Sequence, residues 1–312
     1  MISMAQPFRK KLKYFFLYYF IKFVLAATRF FPRRWVLSFY AGLSGIAFHF
    51  LNKDANITRA NLKLAFGEEM DDTQINDLAK KVWKNVGKSF ADIARAFHFR
   101  KKEQLDPIFD VEGLEHLQKA YDQGKGVIGV ACHMGPYELG ATYVALSGFK
   151  TNVIATPVHD PRLDEMLVRS RTSRGLVNIP RGKDNIKIIK ALKKGELLFI
   201  LIDQDTKVDS VFVDFFGKKA KTPIGAALLA KRTGAKLLPI AVRRIENDKV
   251  RLIIRPEVPV ADTGDDDLDL LKTTEALTRV HESIIREDVA QWIWMHERWK
   301  SRPPEEIRPD QA

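Results

Sequence analysis

Apolar side chains follow a helical spacing in the first third of the chain and a strand-like pattern later. Within residues 54–105 they recur every three or four positions, as at Leu78, Val82 and Val86, which predicts helices. Beyond residue 107, short runs rich in β-branched and aromatic residues alternate with amphipathic stretches. This alternation predicts an α/β fold in which helices flank a central mixed sheet.

The second region contains seven predicted strands and four predicted helices. Asp262–Asp269, rich in aspartate, predicts a solvated loop, and residues 303–312 predict a mobile polar tail. The strands are predicted at Val127–Cys132, Asn152–Pro157, Gly175–Ile179, Leu197–Asp203, Val211–Phe215, Lys236–Arg243 and Val250–Arg255. The helices are predicted at Tyr137–Leu146, Pro161–Arg174, Lys183–Lys193 and Pro223–Thr233.

Two aromatic-rich apolar stretches, Tyr14–Phe31 and Trp35–Leu51, precede these regions and are separated by Pro32. A membrane-spanning helix needs about 20 apolar residues, and Lys22 interrupts the first stretch near its middle. We therefore expect residues 1–53 to form helices that lie in, or dip into, the cytoplasmic leaflet of a membrane. A single-pass anchor and an ordinary buried core helix are the alternatives.

The distribution of charge agrees with a membrane-binding N-terminus. The net charge is +12, and residues 1–53 contain nine basic residues and no acidic residue. A basic segment with this many aromatic residues suits an anionic membrane surface better than a nucleic acid, so we expect no nucleic-acid partner. The single cysteine, Cys132, excludes an intrachain disulfide and fits a reducing compartment.

A histidine followed five residues later by a carboxylate can act as a general base with an orienting partner. Four of the seven histidines have this spacing, so the spacing alone selects none of them. His133 ends the apolar run 127–132 and precedes a predicted helix, a position where open α/β sheets expose reactive groups. His159 has similar surroundings. The residues alone leave two pairs open, which are His133 with Glu138 and His159 with Asp164.

Five short blocks follow one another between residues 110 and 300. They are ACHMGPYELG at 131–140, RSRTSRGLVNIPR with Arg171 and Gly175, Asp203-Gln204-Asp205, Phe215-Phe216-Gly217 before Thr222-Pro223, and Trp292–Lys300. In this order they resemble the late acyltransferases of lipid A biosynthesis, the lauroyl/myristoyl transferase family. Each block alone has low specificity, and the ordered set has high specificity. The Gly-Pro-Tyr before Glu138 departs from the Asn-Trp of many members.

The resemblance implies an acyltransferase domain at 54–302, behind the membrane-binding residues 1–53 and before the tail at 303–312. It implies transfer of a fatty acyl chain from acyl carrier protein or acyl-CoA to a hydroxyl of a lipid A precursor or another glycolipid. The expected location is the cell inner membrane, with the catalytic domain facing the cytoplasm. We expect no cofactor and no metal ion.

The resemblance also implies roles for individual residues. His133 is expected to act as the general base, and Glu138 is expected to orient it. Arg171 and Arg174 are expected to contact an acceptor phosphate or the oxyanion, and Asp203 to support the substrate site. Backbone N–H groups after His133 are further candidates for binding the oxyanion.

Several features have two interpretations. Cys132 adjoins His133, but neighbouring strand residues point to opposite faces, so we expect a small buried residue instead of a nucleophile. Residues 162–194 carry ten basic and three acidic residues. The basic side chains either form solvated helix faces or contact phosphates or an acidic carrier protein. The aromatic residues of the last two blocks either pack in the core or line an acyl groove. These residues are Phe215, Phe216, Trp292 and Trp294.

Two other functions are compatible with the sequence. One is an acyltransferase of the same superfamily with another acceptor, such as a phosphatidylinositol mannoside or an amino-acid lipid. The other is a non-catalytic membrane protein that binds lipid or an acyl carrier. A catalytic His133 would separate an enzyme from a binding protein.

Overall fold

A computed structural model of the chain describes residues 8–158, 160–182 and 184–306. His159 and residues 307–312 of the predicted tail lie outside the described residues. The helices are α1 (Phe8–Ala27), α2 (Arg33–Phe50), α3 (Asn52–Phe66), α4 (Asp72–Ala96), α5 (Leu114–Tyr121), α6 (Tyr137–Leu146), α7 (Pro161–Thr172), α8 (Asn185–Lys193), α9 (Gly225–Thr233) and α10 (Asp266–Glu287). The strands are β1 (Phe109–Glu112), β2 (Val127–Ala131), β3 (Thr151–Ala155), β4 (Leu176–Pro180), β5 (Leu197–Leu201), β6 (Ser210–Phe215), β7 (Lys218–Pro223), β8 (Lys236–Arg244) and β9 (Val250–Ile254).

Seven strands form the central sheet, in the order β1-β9-β8-β2-β5-β3-β4. Neighbouring strands are parallel except β8 and β9, which are antiparallel. Helices cover both faces, because alternate side chains of each strand point to opposite sides. On β5, Phe199 packs into a core with Leu139 of α6, whereas Leu198 packs into a core with Ile188 of α8. The predicted α/β fold with a mixed central sheet is confirmed.

The aspartate-rich segment at 262–269 differs from the prediction of a solvated loop. Helix α10 begins within it, and the Asp265 side chain accepts hydrogen bonds from the amides of Asp267 and Leu268, at 2.9 and 3.1 Å. Asp269 is buried, 2.6 Å from Lys231 Nζ. These carboxylates stabilise the first turn of a helix, where the N–H groups and the helix dipole favour negative charge.

Helices α1 and α2 expose many aromatic side chains. The inner face of α2 packs on α4, where Val36 and Leu37 are buried beside Ala91 and Arg33 lies 2.8 Å from Asp92. Within the described residues, no helix is long and apolar enough to cross a membrane. Membrane binding by the N-terminus therefore stays a prediction. The large exposed apolar residues of α1, α2 and their connection include Phe15, Phe16, Phe20, Phe23, Phe30, Phe31, Trp35, Phe39 and Phe50.

Candidate active site

His133 and Asp203 lie side by side because of the register between β2 and β5. These strands are parallel, and Ala131 pairs with Leu201 at their carboxyl ends. Two residues further along each strand, both side chains leave the sheet on the same face. His133 Nδ1 lies 2.8 Å from Asp203 Oδ1, and the His133 backbone N–H donates to Oδ2 at 2.6 Å. His133 and Asp203, here called the dyad, are therefore brought together by strand pairing although 70 positions separate them in the chain.

Asp203 is held as a buried anion. Burial alone would raise its pKa, but the charge of His133 and the hydrogen bonds from His133 and Trp292 outweigh burial and hold the pKa well below the usual range. Trp292 Nε1 donates to Oδ2 at 2.8 Å. Because a carboxylate can only accept, His133 Nδ1–H donates to Asp203, and in the neutral form of the ring Nε2 has a free lone pair.

Glu138 does not take the expected position against His133. Its carboxylate forms an ion pair with Arg171, whose other terminal nitrogen, Nη1, donates to Asn178 Oδ1 at 2.9 Å. The described hydrogen bonds of the His133 ring go to Asp203. The spacing that suggested Glu138 as the orienting residue instead places it in the first turn of α6, where it contacts Arg171 of α7.

Arg174 is buried, with 2% of its surface exposed. Its guanidinium donates to Thr142 Oγ1 at 2.8 Å and to the Ser170 carbonyl at 3.0 Å. Burial, together with the nearby positive charge of Arg171, lowers its pKa to about 10. The side chain ties α7 to α6 and does not line the cavity beside His133, so the substrate contact expected of Arg174 has no support from its position.

The turn after His133 is held by the C-terminal part of the chain. Gly135 has φ of +53°, and a Cβ there would lie 2.4 Å from the Val242 carbonyl oxygen, so only glycine fits. Its amide donates to the Gln291 carbonyl at 3.0 Å, and the Ile293 amide donates to the His133 carbonyl at 3.1 Å. The C-terminal block thereby fixes the backbone that carries the histidine.

Cys132 is fully buried, in a cluster with Met134 and Trp292. Burial raises the pKa of its thiol well above the usual value, with the charge of Asp203 adding to the effect. A thiolate is therefore strongly disfavoured at this position. The structure agrees with the expectation that Cys132 is a buried small residue and not a nucleophile.

A cavity of about 600 Å³ opens beside His133. Its polar part contains His133, Glu138 and Arg171, together with Arg181 and Arg232. Asp203 lies behind the histidine and does not contribute to the lining. The remainder is mainly apolar and comes from both faces of the sheet, which suits a ligand with a charged end and a hydrocarbon chain. The apolar lining residues include Val153, Ile154, Leu176, Ile188, Phe199, Ile200, Leu201 and Leu228.

The aromatic residues of the last two blocks form a core and do not line this cavity. Phe215 packs on Trp292, with ring centroids 5.5 Å apart, and Arg298 lies over Phe215 at 5.1 Å. Arg298 is buried, and it donates to Thr222 Oγ1 and to the Lys221 carbonyl. The five blocks thus meet in three dimensions. Across the described ranges, no cluster of three His, Cys, Asp or Glu side chains is arranged to hold a metal ion.

The family of bacterial lipid A biosynthesis acyltransferases matches residues 4–301. The chain belongs to this family. It is therefore an enzyme that transfers acyl groups, as predicted, and not the non-catalytic binding protein considered as an alternative.

Individual acyltransferases are similar to this chain over most of their length. The lipid A biosynthesis lauroyltransferase of Escherichia coli K12 is 31% identical over 268 residues, 84% of each chain. The palmitoleoyltransferase of the same strain is 28% identical and covers 84% of this chain and 83% of its own. A phosphatidylinositol mannoside acyltransferase of Mycolicibacterium smegmatis is 27% identical over 206 residues, 65% of this chain and 64% of its own.

The sequence predicts that His133 lies at the end of a strand, but it does not predict which carboxylate contacts it. Asp203 ends a predicted strand too, yet the resemblance implied only a role in supporting the substrate site. The decisive signal was available in the sequence, since both residues follow an apolar run of similar length. Trp292 was considered only for packing or an acyl groove, and its hydrogen bond to Asp203 was not foreseen.

Proposed function

We propose that the enzyme transfers a fatty acyl chain from an acyl thioester to a hydroxyl group of a lipid A precursor, with His133 as the general base. The observation that supports this most is the contact between His133 and the buried Asp203, beside a cavity lined by three arginines and many apolar residues. In this proposal Asp203, not Glu138, holds the tautomer and orientation of the imidazole.

The reaction follows from the free lone pair on His133 Nε2. The acceptor hydroxyl donates its proton to Nε2 while its oxygen attacks the thioester carbonyl. The tetrahedral intermediate then collapses, the carbon–sulfur bond breaks, and the imidazolium returns the proton to the departing thiolate. An ester and a free thiol are formed, and His133 ends in its starting state. Asp203 stabilises the imidazolium between these steps.

The oxyanion has two candidate sources of stabilisation. The amide of Gly135 already donates to Gln291, and that of Met134 donates to Cys132. The amides of Tyr137 and Glu138, at the start of α6, are better candidates, because the first N–H groups of a helix lack intrahelical acceptors. The next amide, that of Leu139, already donates to the Pro136 carbonyl at 2.8 Å. Arg171 is the second source, held at the cavity wall by Glu138 and Asn178.

Donor and acceptor are proposed from the charges around the cavity. Arg181 and Arg232 lie on its wall, where they suit the phosphates of coenzyme A or of the carrier's phosphopantetheine, or those of a glycolipid. Acyl carrier protein and acyl-CoA are both proposed donors. A lipid A precursor is the proposed acceptor because the lauroyl- and palmitoleoyltransferases match over more of this chain than the mannoside acyltransferase does.

We place the enzyme at the cytoplasmic face of the cell inner membrane. The exposed aromatic side chains of α1 and α2, within a strongly basic segment, support binding at a membrane interface. Replacing Phe20, Phe23 and Phe39 with serine should release the protein from anionic vesicles, whereas Val177→Ser, at a similarly exposed position on β4, should not. Equal retention of both variants would reject this location.

Acyl transfer should be assayed in detergent with a lipid A precursor and each thioester donor. His133→Ala should abolish turnover, and His116→Ala, on the surface helix α5, should leave it unchanged. Unchanged turnover of His133→Ala would reject the proposed base, and loss of turnover in His159→Ala would favour the rival pair. Mass spectrometry of the product would identify the acceptor and the acyl length.

A further inference from the structure

A second cavity, of about 450 Å³, shares no lining residue with the first. It lies where the end of α1 meets the end of α4. Its wall contains Arg29, Arg95 and Arg100, together with His98 and Gln104. No aspartate or glutamate is among the described residues of its wall. A cavity with this lining attracts an anion.

Among the described residues, the side-chain hydrogen bonds of Arg95 and Arg100 all go to backbone carbonyl oxygens. Arg95 Nη1 donates to the carbonyl oxygens of Thr28 and Phe31, at 2.5 and 2.9 Å. Arg100 Nη1 donates to two carbonyl oxygens at 2.7 Å each. The ion pairs found in the described part of the chain include none of the three arginines. Arg95 Nε is buried and has no hydrogen-bond partner there.

The charge of the cavity is only partly balanced by the protein. The carboxyl ends of α1 and α4 each contribute about half a negative charge, against three guanidinium groups, which leaves about +2. Burial and the nearby charge of Arg33 lower the pKa of Arg95, and the charge of Asp92, which is paired with Arg33 and Arg244, opposes them. A phosphate monoester carries about −1.5 to −2 and would balance this charge.

We infer that this cavity binds a phosphate group, carried either by a phospholipid headgroup or by a soluble phosphate. Phe30 and Phe31, next to Arg29, are 81% and 52% exposed. Aromatic side chains beside a basic site are typical of proteins that bind at the headgroup level of a membrane, so a lipid headgroup is the expected source. The inference does not depend on the proposed acyl transfer, because it concerns separate residues and is tested by binding.

The test uses the full chain and a variant with two exposed arginines replaced, Arg29→Gln/Arg100→Gln. The matched control, Lys119→Gln/Lys125→Gln, removes the same charge from exposed positions around the end of α5. Binding to phosphatidylcholine vesicles containing phosphatidic acid is measured by co-sedimentation. Binding of inorganic phosphate is measured by calorimetry at constant ionic strength, and circular dichroism checks the fold of each variant.

The arginine variant should bind these vesicles about tenfold more weakly than the lysine control, because charge-assisted phosphate contacts are lost. Inorganic phosphate should compete with the vesicles, and chloride at equal ionic strength should not. If only inorganic phosphate binding falls, the site is confirmed and its source is a soluble phosphate. Equal losses in the two variants, or no loss in either assay, would overturn the inference.

Discussion

The two oxygens of the Asp203 carboxylate contact His133 at different atoms. Oδ1 lies 2.8 Å from the ring nitrogen Nδ1, and Oδ2 accepts the backbone N–H of the same residue at 2.6 Å. One carboxylate therefore fixes both the main chain and the ring of the proposed base. The ring cannot rotate without breaking its bond to an anion that is itself held by Trp292.

The first prediction concerns Asp203→Asn, which keeps the shape of the side chain and removes its charge. We expect kcat to fall about 10³- to 10⁴-fold, because the amide permits the wrong imidazole tautomer. Steady-state kinetics with a saturating donor would measure this. Asp214→Asn, on the exposed hairpin strand β6, is the control. A kcat within about twofold of the wild type, a difference far below the expected loss, would reject the orienting role.

Glu138 and Arg171 should behave as one unit. Glu138→Gln and Arg171→Gln should each lower kcat/KM, and the double variant should be little worse than either single variant. The coupling free energy should be about 0.5–3 kcal/mol, because the two side chains form one ion pair. A double-mutant cycle on kcat/KM measures it. Coupling of Glu138 to His133, instead of to Arg171, would support Glu138 as the residue that orients the histidine.

The charge of Asp203 should make stability depend on pH in acid. Its folded pKa lies below the value in the unfolded chain, about 3.9. The stabilisation from the charge is therefore fully present above about pH 4 and is lost as the pH falls toward the folded pKa. Urea unfolding of the wild type and Asp203→Asn should show a difference in stability at pH 5 that shrinks as the pH falls below about 4, by the same linkage argument. A difference that did not shrink in acid would contradict the depressed pKa.

Gly135→Ala should destabilise the turn that carries His133. The alanine would need a left-handed backbone and would place its Cβ 2.4 Å from the Val242 carbonyl oxygen. Gly148→Ala is a matched control, because it also has positive φ but no heavy atom within 4 Å of the added carbon. Gly135→Ala should cost about 1–3 kcal/mol more than the control in urea unfolding. Equal losses would show that the close contact is relieved by small backbone shifts.

The two apolar parts of the main cavity should differ in function. Leu176 lines it on the sheet face that also carries His133, and Ile188 lines it on the opposite face. A tryptophan that fills part of the space of the donor chain should shift the preference of the enzyme to shorter acyl groups. Each methylene that can no longer be buried loses about 0.8 kcal/mol of binding free energy. Turnover of a series of acyl donors by Leu176→Trp and Ile188→Trp would measure this. An unchanged preference in both variants would reject this cavity as the acyl site.

The periodicity of apolar residues predicted most of the fold, because buried parallel strands are continuous apolar runs. It missed β7, whose sequence KKAKTP is rich in lysine and pairs only with β6. It also missed α10, since its aspartate-rich start has the composition of a loop.

In the site, the short distance between His133 and Glu138 in the chain suggested a contact that helix geometry does not make. The contact with Asp203 depends on strand register, which local spacing does not encode.

The pairing of β2 with β5 also determines how much the chain can change without losing the dyad. Sliding β5 by one residue relative to β2 would present Ile202 or Gln204 to the histidine in place of the carboxylate. Insertions in the connections between these strands would leave the dyad intact. In a distant relative, the carboxylate is therefore best sought two positions beyond the last paired residue of the neighbouring strand, whatever the number of residues that separates it from the histidine.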